Sequence, residues 1–192
     1  MIRRLIMSLL ALGAVWQSTA VMAHPHIWVD SYYRVVVNQP TLQTLEANWE
    51  FDLFSSLDML MAFDTNADGV FQGQEKAEAA VAMTNLAQYG YFLRIQVDGE
   101  EIAPAQVSIV DLAISDQKLQ VKLGIELAEP VNIQQQTLRI GFGDKENYFA
   151  MVIPDAGLIQ LTGVLAETCT PTLVDAEEIY MEGWIDLHCD RG

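Results

Sequence analysis

The sequence predicts a mainly β (α+β) fold: an antiparallel β-sandwich interrupted by one EF-hand-like helix–loop–helix. Three observations predict it. Most of the chain alternates apolar and polar residues with period two over short runs, the mark of half-buried strands. The period lengthens to that of a helix between residues 52 and 90. Between the two helical runs lies the acidic string DTNADGVFQGQE, residues 64–75.

The elements follow in order. Ile27, Val29, Tyr33, Val35 and Val37 fall on one face of the first strand, and His26, Trp28, Asp30, Tyr32 and Arg34 on the other. Asn38-Gln39-Pro40 makes a turn. Leu42–Phe51 is the second strand, with Leu45, Ala47 and Trp49 alternating against Thr44, Glu46 and Asn48. In residues 52–63, Leu53, Leu57, Leu60 and Met61 recur at helical spacing. A second helix covers residues 74–89, with Ala77, Val81 and Leu86 against Lys76 and Glu78, and Gly90 stops it. Strands resume at Tyr91–Val97, followed by the hairpin turn Asp98-Gly99. Further strands are expected at 106–114, 118–126, 137–142, 148–153, 158–165 and 178–188. Ser115-Asp116, Glu129-Pro130, Gly143-Asp144 and Pro154-Asp155 separate them. About nine short strands suit a sandwich or open barrel. The helical segment 52–90 reads as an insertion, because some 40 residues bury too little to fold alone. Residues 24–192 then form a single domain.

Composition narrows the function. The chain has 192 residues, of which 51% are apolar and 19% charged, so a packed core is expected. A formal net charge of −16 argues against nucleic acid and against anionic lipid as partners. Metal cations or basic partners are the natural complement.

Residues 1–23, MIRRLIMSLLALGAVWQSTAVMA, read as a signal peptide. Arg3 and Arg4 precede an apolar stretch from Leu5 to Trp16, too short for the ~20 residues of a spanning helix. Val21 and Ala23 occupy the small-residue positions before a cut placed after Ala23. No cysteine follows the cut, and no later segment is long and apolar enough to span, so no membrane anchor is expected after cleavage. The expected compartment is the periplasm. Cys169 and Cys189 are the only cysteines, and in an exported chain a disulfide is the default. Two buried free thiols, or Cys189 as a metal ligand, are the alternatives.

The string at residues 64–75 matches the calcium-loop pattern D-x-[DN]-x-[DN]-G-x5-E at every specified position. Asp64, Asn66 and Asp68 offer side-chain oxygens at loop positions one, three and five. Gly69 permits the sharp turn, Val70 offers its carbonyl, Gln72 acts through water, and Glu75 closes the loop as the bidentate ligand. The spacing serves a hard cation that wants six to eight oxygens. A single hand of this type is expected to be structural, with an affinity of roughly 10⁻⁴–10⁻³ M.

The new N-terminus is a second candidate. Cleavage leaves His24-Pro25-His26 first, so an amine and two imidazoles lie within three residues. Pro25 has no amide proton to lose, which excludes the amide-bound square-planar mode. Imidazole and amine donors suit Zn, Ni, Co and Cu. In the last strand Tyr180, Glu182, Trp184, Asp186 and His188 share one face, while Met181, Ile185, Leu187 and Cys189 share the other. His188 then points outward, free to join His24 and His26.

Three features together, HPHIWVD at the expected cut, the acidic hand after the second strand, and GDKENYF at residues 143–149, resemble one family of exported bacterial proteins, domain of unknown function 1007. Its members are commonly labelled the periplasmic component of an uncharacterised ABC-type transport system and often accompany nickel/cobalt-type membrane transporters. The resemblance spans essentially the whole mature chain. It implies that His24, His26 and Trp28 belong to the family signature, that Asp64, Asn66, Asp68 and Glu75 belong to its acidic loop, and that Asp144 and Tyr148 lie in its aspartate-and-tyrosine segment. Here Lys145-Glu146-Asn147 stands where that segment is tighter and contains proline.

The function expected first is a non-enzymatic periplasmic accessory that binds a transition metal and serves a membrane metal transporter, with a structural calcium loop. The alternatives are a copper or zinc enzyme built on the N-terminal His24, and an interaction module holding calcium only. No G-x-S-x-G elbow and no nucleotide-binding glycine loop is present.

Overall fold

The computed structural model describes residues 26–190. The expected leader, the cut after Ala23, and His24 lie outside the described residues. Eleven strands and two α-helices follow in the order β1 (Ile27–Val36), β2 (Thr41–Phe51), α1 (Leu53–Phe63), α2 (Gly73–Met83), β3 (Leu93–Val97), β4 (Glu100–Glu101), β5 (Pro104–Ser115), β6 (Lys118–Asn132), β7 (Leu138–Phe142), β8 (Phe149–Val152), β9 (Ile159–Thr162), β10 (Cys169–Asp175) and β11 (Gly183–Cys189). A 3-10 stretch, Thr84–Phe92, joins α2 to β3.

The strands form two sheets. One runs β5-β6-β2-β1-β8, with β9 also paired to β1; the other runs β10-β11-β7-β3-β4. The period-two alternation of β1 has its expected result: Val29, Tyr33, Val35 and Val37 are buried, while Trp28 and Val36 are exposed. In β2 the same holds for Leu45, Ala47 and Trp49. The Asp98-Gly99 turn has both central residues at positive φ, 52° and 86°, as a two-residue hairpin requires. Most pairings are antiparallel; the exceptions lie at β1. Its beginning pairs in parallel with β8 (Trp28 opposite Ala150) and its end in parallel with β9 (Val35 opposite Leu161). Residues 153–158 carry the chain from one short partner to the next along the same edge of β1.

A buried cluster draws on both sheets, with Val35, Leu45, Leu123 and Ile125 from the first and Ile95, Ile140 and Leu187 from the second. Tyr33 fastens them together. It is fully buried, its ring stacks on Phe142 at 4.3 Å, and its hydroxyl donates to the Gly141 carbonyl at 2.8 Å. Burial pushes the Tyr33 phenol far above its ordinary value, so it stays a donor. Tyr33→Phe should cost about 1–2 kcal/mol, because a carbonyl loses its partner inside the core. Urea unfolding measures this loss.

Cys169 and Cys189 face each other across β10 and β11 and form a disulfide. Neither is a free thiol, so the reading of Cys189 as a metal ligand is set aside.

The helices differ from expectation in one respect. Asp52 caps α1, its carboxylate accepting from the Ser55 amide and hydroxyl, both at 2.9 Å. Ser56, buried, donates to the Asp52 carbonyl at 2.7 Å and accepts from the Leu119 amide of β6 at 2.8 Å. This turns Met59, Leu60 and Phe63 toward the core. Leu53, Leu57 and Met61, of the helically spaced set, remain exposed together with Phe54. The buried face of α1 is therefore set by Ser56 and its bond to β6, and not by the leucine spacing. α2 packs through Ala79, fully buried, and Lys76 pairs with Asp111 of β5 at 2.6 Å.

Candidate metal centre

The acidic loop lies between the end of α1 and the start of α2, so the two helices deliver its first and last carboxylates. Asp64 follows α1 directly and its amide still donates to Leu60 O at 2.9 Å. Its two oxygens then take up the turning backbone: Oδ1 accepts from Asp68 N at 3.2 Å, and Oδ2 from Gly69 N at 2.8 Å. Asn66 Oδ1 accepts from Asp68 N at 2.8 Å, and Asp68 Oδ1 from Val70 N at 3.0 Å. The turn needs positive φ at Ala67 (57°) and Gly69 (79°). A side chain at Gly69 would meet no neighbour, so the requirement for glycine there is conformational. Phe71 is buried and fixes the far side of the loop to the core, while Gln72 is exposed.

Glu75, in the first turn of α2, is 8% exposed. Its Oε1 accepts three hydrogen bonds, from Thr65 Oγ1 at 2.7 Å, Thr65 N at 3.0 Å and Asn66 N at 3.2 Å. Its Oε2 is buried and has no hydrogen-bond partner. The carboxylate is thus clamped by one oxygen and presents the other. One oxygen each from Asp64, Asp68 and Glu75 lie within 4.8 Å of one another, the only such group of three or more potential ligands among the described residues. Thr65, at loop position two, is a residue that the calcium-loop pattern leaves unspecified.

The Thr65 hydroxyl, and after it the Thr65 and Asn66 amides, hold the Glu75 carboxyl below its ordinary 4.5 against the opposing pull of burial. The unfolded chain therefore takes up this proton first as pH falls. The stability that Glu75 contributes is present above pH 4.5 and is lost as pH drops through the lower folded value. In calcium-free buffer, the stability lost between pH 6 and pH 3 should be smaller in Glu75→Gln than in the wild type. Guanidinium unfolding at the two pH values measures it.

The N-terminal candidate is only partly within the described residues. His26 is exposed, its amide donates to Tyr148 O at 2.8 Å, and its ring lies 5.0 Å from that of Tyr148. Asp144, buried, shapes this neighbour: Oδ1 accepts from Glu146 N at 3.0 Å, and Oδ2 from Tyr148 N and Phe149 N at 3.0 and 2.9 Å. Asp144 thus orders the turn that receives the start of β1. Asp52 ties the same strand to α1, accepting from Trp28 N at 2.9 Å.

His188 lies elsewhere. The Cys189 amide next to it donates to Ile133 O at 2.8 Å, and Ile133 N in turn reaches Pro40 O at 3.0 Å. His188 is therefore at the Pro40 end of β1, opposite to His26. The ten residues of β1 span roughly 30 Å at ~3.3 Å each. His188 is thus not placed beside His26, the one of the two N-terminal histidines within the described residues.

No described helix is long and apolar enough to cross a membrane. No curated protein and no solved structure matches the chain. A family model described as "Protein of unknown function (DUF1007)" matches residues 9–182. With a match over nearly its whole length, and with the HPHIWVD and GDKENYF segments inside it, the chain belongs to the DUF1007 family.

Proposed function

We propose that the chain is a periplasmic metal-binding accessory protein of a transition-metal transport system of the nickel, cobalt or zinc type. In this reading the two sheets form a β-sandwich that carries an EF-hand-like helix–loop–helix with a structural calcium ion. The observation that carries the metal-binding part is Glu75 Oε2, a buried carboxylate oxygen without a partner, beside the carboxylates of Asp64 and Asp68. Buried anionic oxygens are paired or coordinate a cation. The donors are all oxygen, which favours a hard ion. The flexible loop, with one amide side chain and one carbonyl among its donors, suits the irregular shell of calcium better than the strict octahedron of magnesium. Asp64, Asn66, Asp68, the Val70 carbonyl, Gln72 through water, and Glu75 would hold the ion. Its chemistry there is to neutralise the carboxylates and cross-link α1 to α2.

The disulfide supports an oxidising compartment, as does the leader expected at residues 1–23. The transport role is supported by the family's association with metal transporters. His24 and His26 are the transition-metal end in this reading, and His188 is left out of it. Metal analysis of mature, tag-free protein purified from the periplasm tests the reading. It should contain calcium and also retain a nitrogen-preferring metal, which His24→Ala/His26→Ala loses and His188→Ala keeps. A double histidine variant that binds zinc, nickel, cobalt and copper as well as the wild type would remove the transport reading and leave a calcium-only module.

A further inference from the structure

α1 is apolar on two faces. Met59, Leu60 and Phe63 pack against the core. On the helical wheel Leu53, Leu57, Met61 and Phe54 form a second stripe, and they are 43%, 42%, 86% and 81% exposed. A helix that is apolar nearly all round is covered on both sides in a finished assembly. The backbone of half-exposed Trp28 meets the N-terminal end of α1, because Asp52 binds the Trp28 amide and caps α1 with the same carboxylate.

Charge says what covers it. No lysine or arginine occurs between Arg34 and Lys76, whereas Glu46, Glu50, Asp52, Asp58, Asp64, Asp68 and Glu75 all do; Glu46 and Glu50 are paired with Lys122 and Lys118 of β6, which leaves Asp52, Asp58 and Asp64 around the strip. Asp52 and Asp64 stand at the two ends of α1, and exposed Asp58 flanks the stripe. Arg34 and Lys76, which bound this stretch, are committed to Glu46 and Asp111. An apolar strip edged by Asp52, Asp58 and Asp64 complements a helix whose own apolar face is edged with lysine or arginine. An anionic membrane is repelled by a chain of net charge −16, and so is a second copy of it. We propose that Leu53, Phe54, Leu57 and Met61 form a docking surface for a basic amphipathic helix of another polypeptide. From Leu53 to Met61 the strip is about 12 Å long, enough for two turns of the partner. Asp64 belongs to both this proposal and the calcium reading, whereas the apolar strip and Asp58 do not, so either can fail alone.

The test uses the mature protein with calcium present and a synthetic amphipathic peptide of leucine and lysine about five turns long. Calorimetry should give a Kd in the micromolar range, weakened at least about tenfold by Phe54→Ser/Met61→Ser. Both positions are exposed and neither carries charge, so this pair leaves fold and net charge intact, which a thermal melt checks. The pair Leu173→Ser/Ile179→Ser, at other exposed apolar positions, should bind as the wild type does. A glutamate-for-lysine peptide should not bind. Equal binding to wild type and to Phe54→Ser/Met61→Ser, or no binding to either, would overturn the proposal. So would attachment to phosphatidylcholine or phosphatidylglycerol vesicles, or dimerisation in sedimentation, if abolished by that pair.

Discussion

Glu75→Gln should weaken calcium binding about a hundredfold and abolish the calcium-dependent rise in melting temperature. The substitution keeps the shape of the side chain. It removes the charge from the one carboxylate oxygen that, among the described residues, is both buried and unpartnered. It also weakens the acceptor on which Thr65 and Asn66 converge, so the loop loses its ligand and its closure together. In the wild type, calcium at a hundred times its Kd should stabilise the fold by about 2.7 kcal/mol. That corresponds to roughly 5–10 °C for a domain of this size. Thr65→Val should give a weaker version of the same loss, because it deletes the 2.7 Å hydrogen bond to Oε1 and leaves the carboxylate charge in place. Scanning calorimetry of the three proteins, with calcium and with chelator, separates these effects.

Opening the disulfide should cost about 3 kcal/mol. The bond closes a loop of 20 residues. It also sits at one end of the ladder that holds β10, an edge strand whose only sheet neighbour is β11. β10 is mostly exposed and contains Pro171, so it contributes little burial of its own. Cys169→Ala/Cys189→Ala should therefore lower the urea midpoint, and amide exchange should show β10 losing protection before the rest of its sheet. An unchanged midpoint would mean that the β10–β11 hydrogen bonds suffice without the cross-link.

What the sequence revealed and what it hid have physical causes. β1 and β2 were legible because each has one wet and one dry face, and a period of two records it. The acidic loop was legible because its carboxylates come from twelve consecutive residues, so topology plays no part in bringing Asp64 and Glu75 together. β10 was hidden because an exposed edge strand has no alternation to display. The parallel partners of β1 were hidden because β8 and β9 are four residues each and their direction is decided by distant chain. The leucine spacing revealed the α1 helix but not which side of it is buried. Its buried face follows Ser56, whose hydroxyl meets the Leu119 amide from a strand more than sixty residues away. Only the assembled sheet supplies that donor. The placement of His188 away from His26 likewise depends on which end of β11 lies beside Pro40, a matter of sheet order that no local pattern encodes. Asp52 shows an intermediate case. Its capping role could be read from an acid placed before a helical run, whereas its second bond, to Trp28, required the fold.

Calcium titrated into chelator-stripped, mature, tag-free protein decides whether the acidic loop is a metal centre. One site is expected, with a Kd of roughly 10⁻⁴–10⁻³ M, and its heat should vanish in Glu75→Gln. No calcium-dependent heat at millimolar metal, or the same heat in Glu75→Gln as in the wild type, would contradict it.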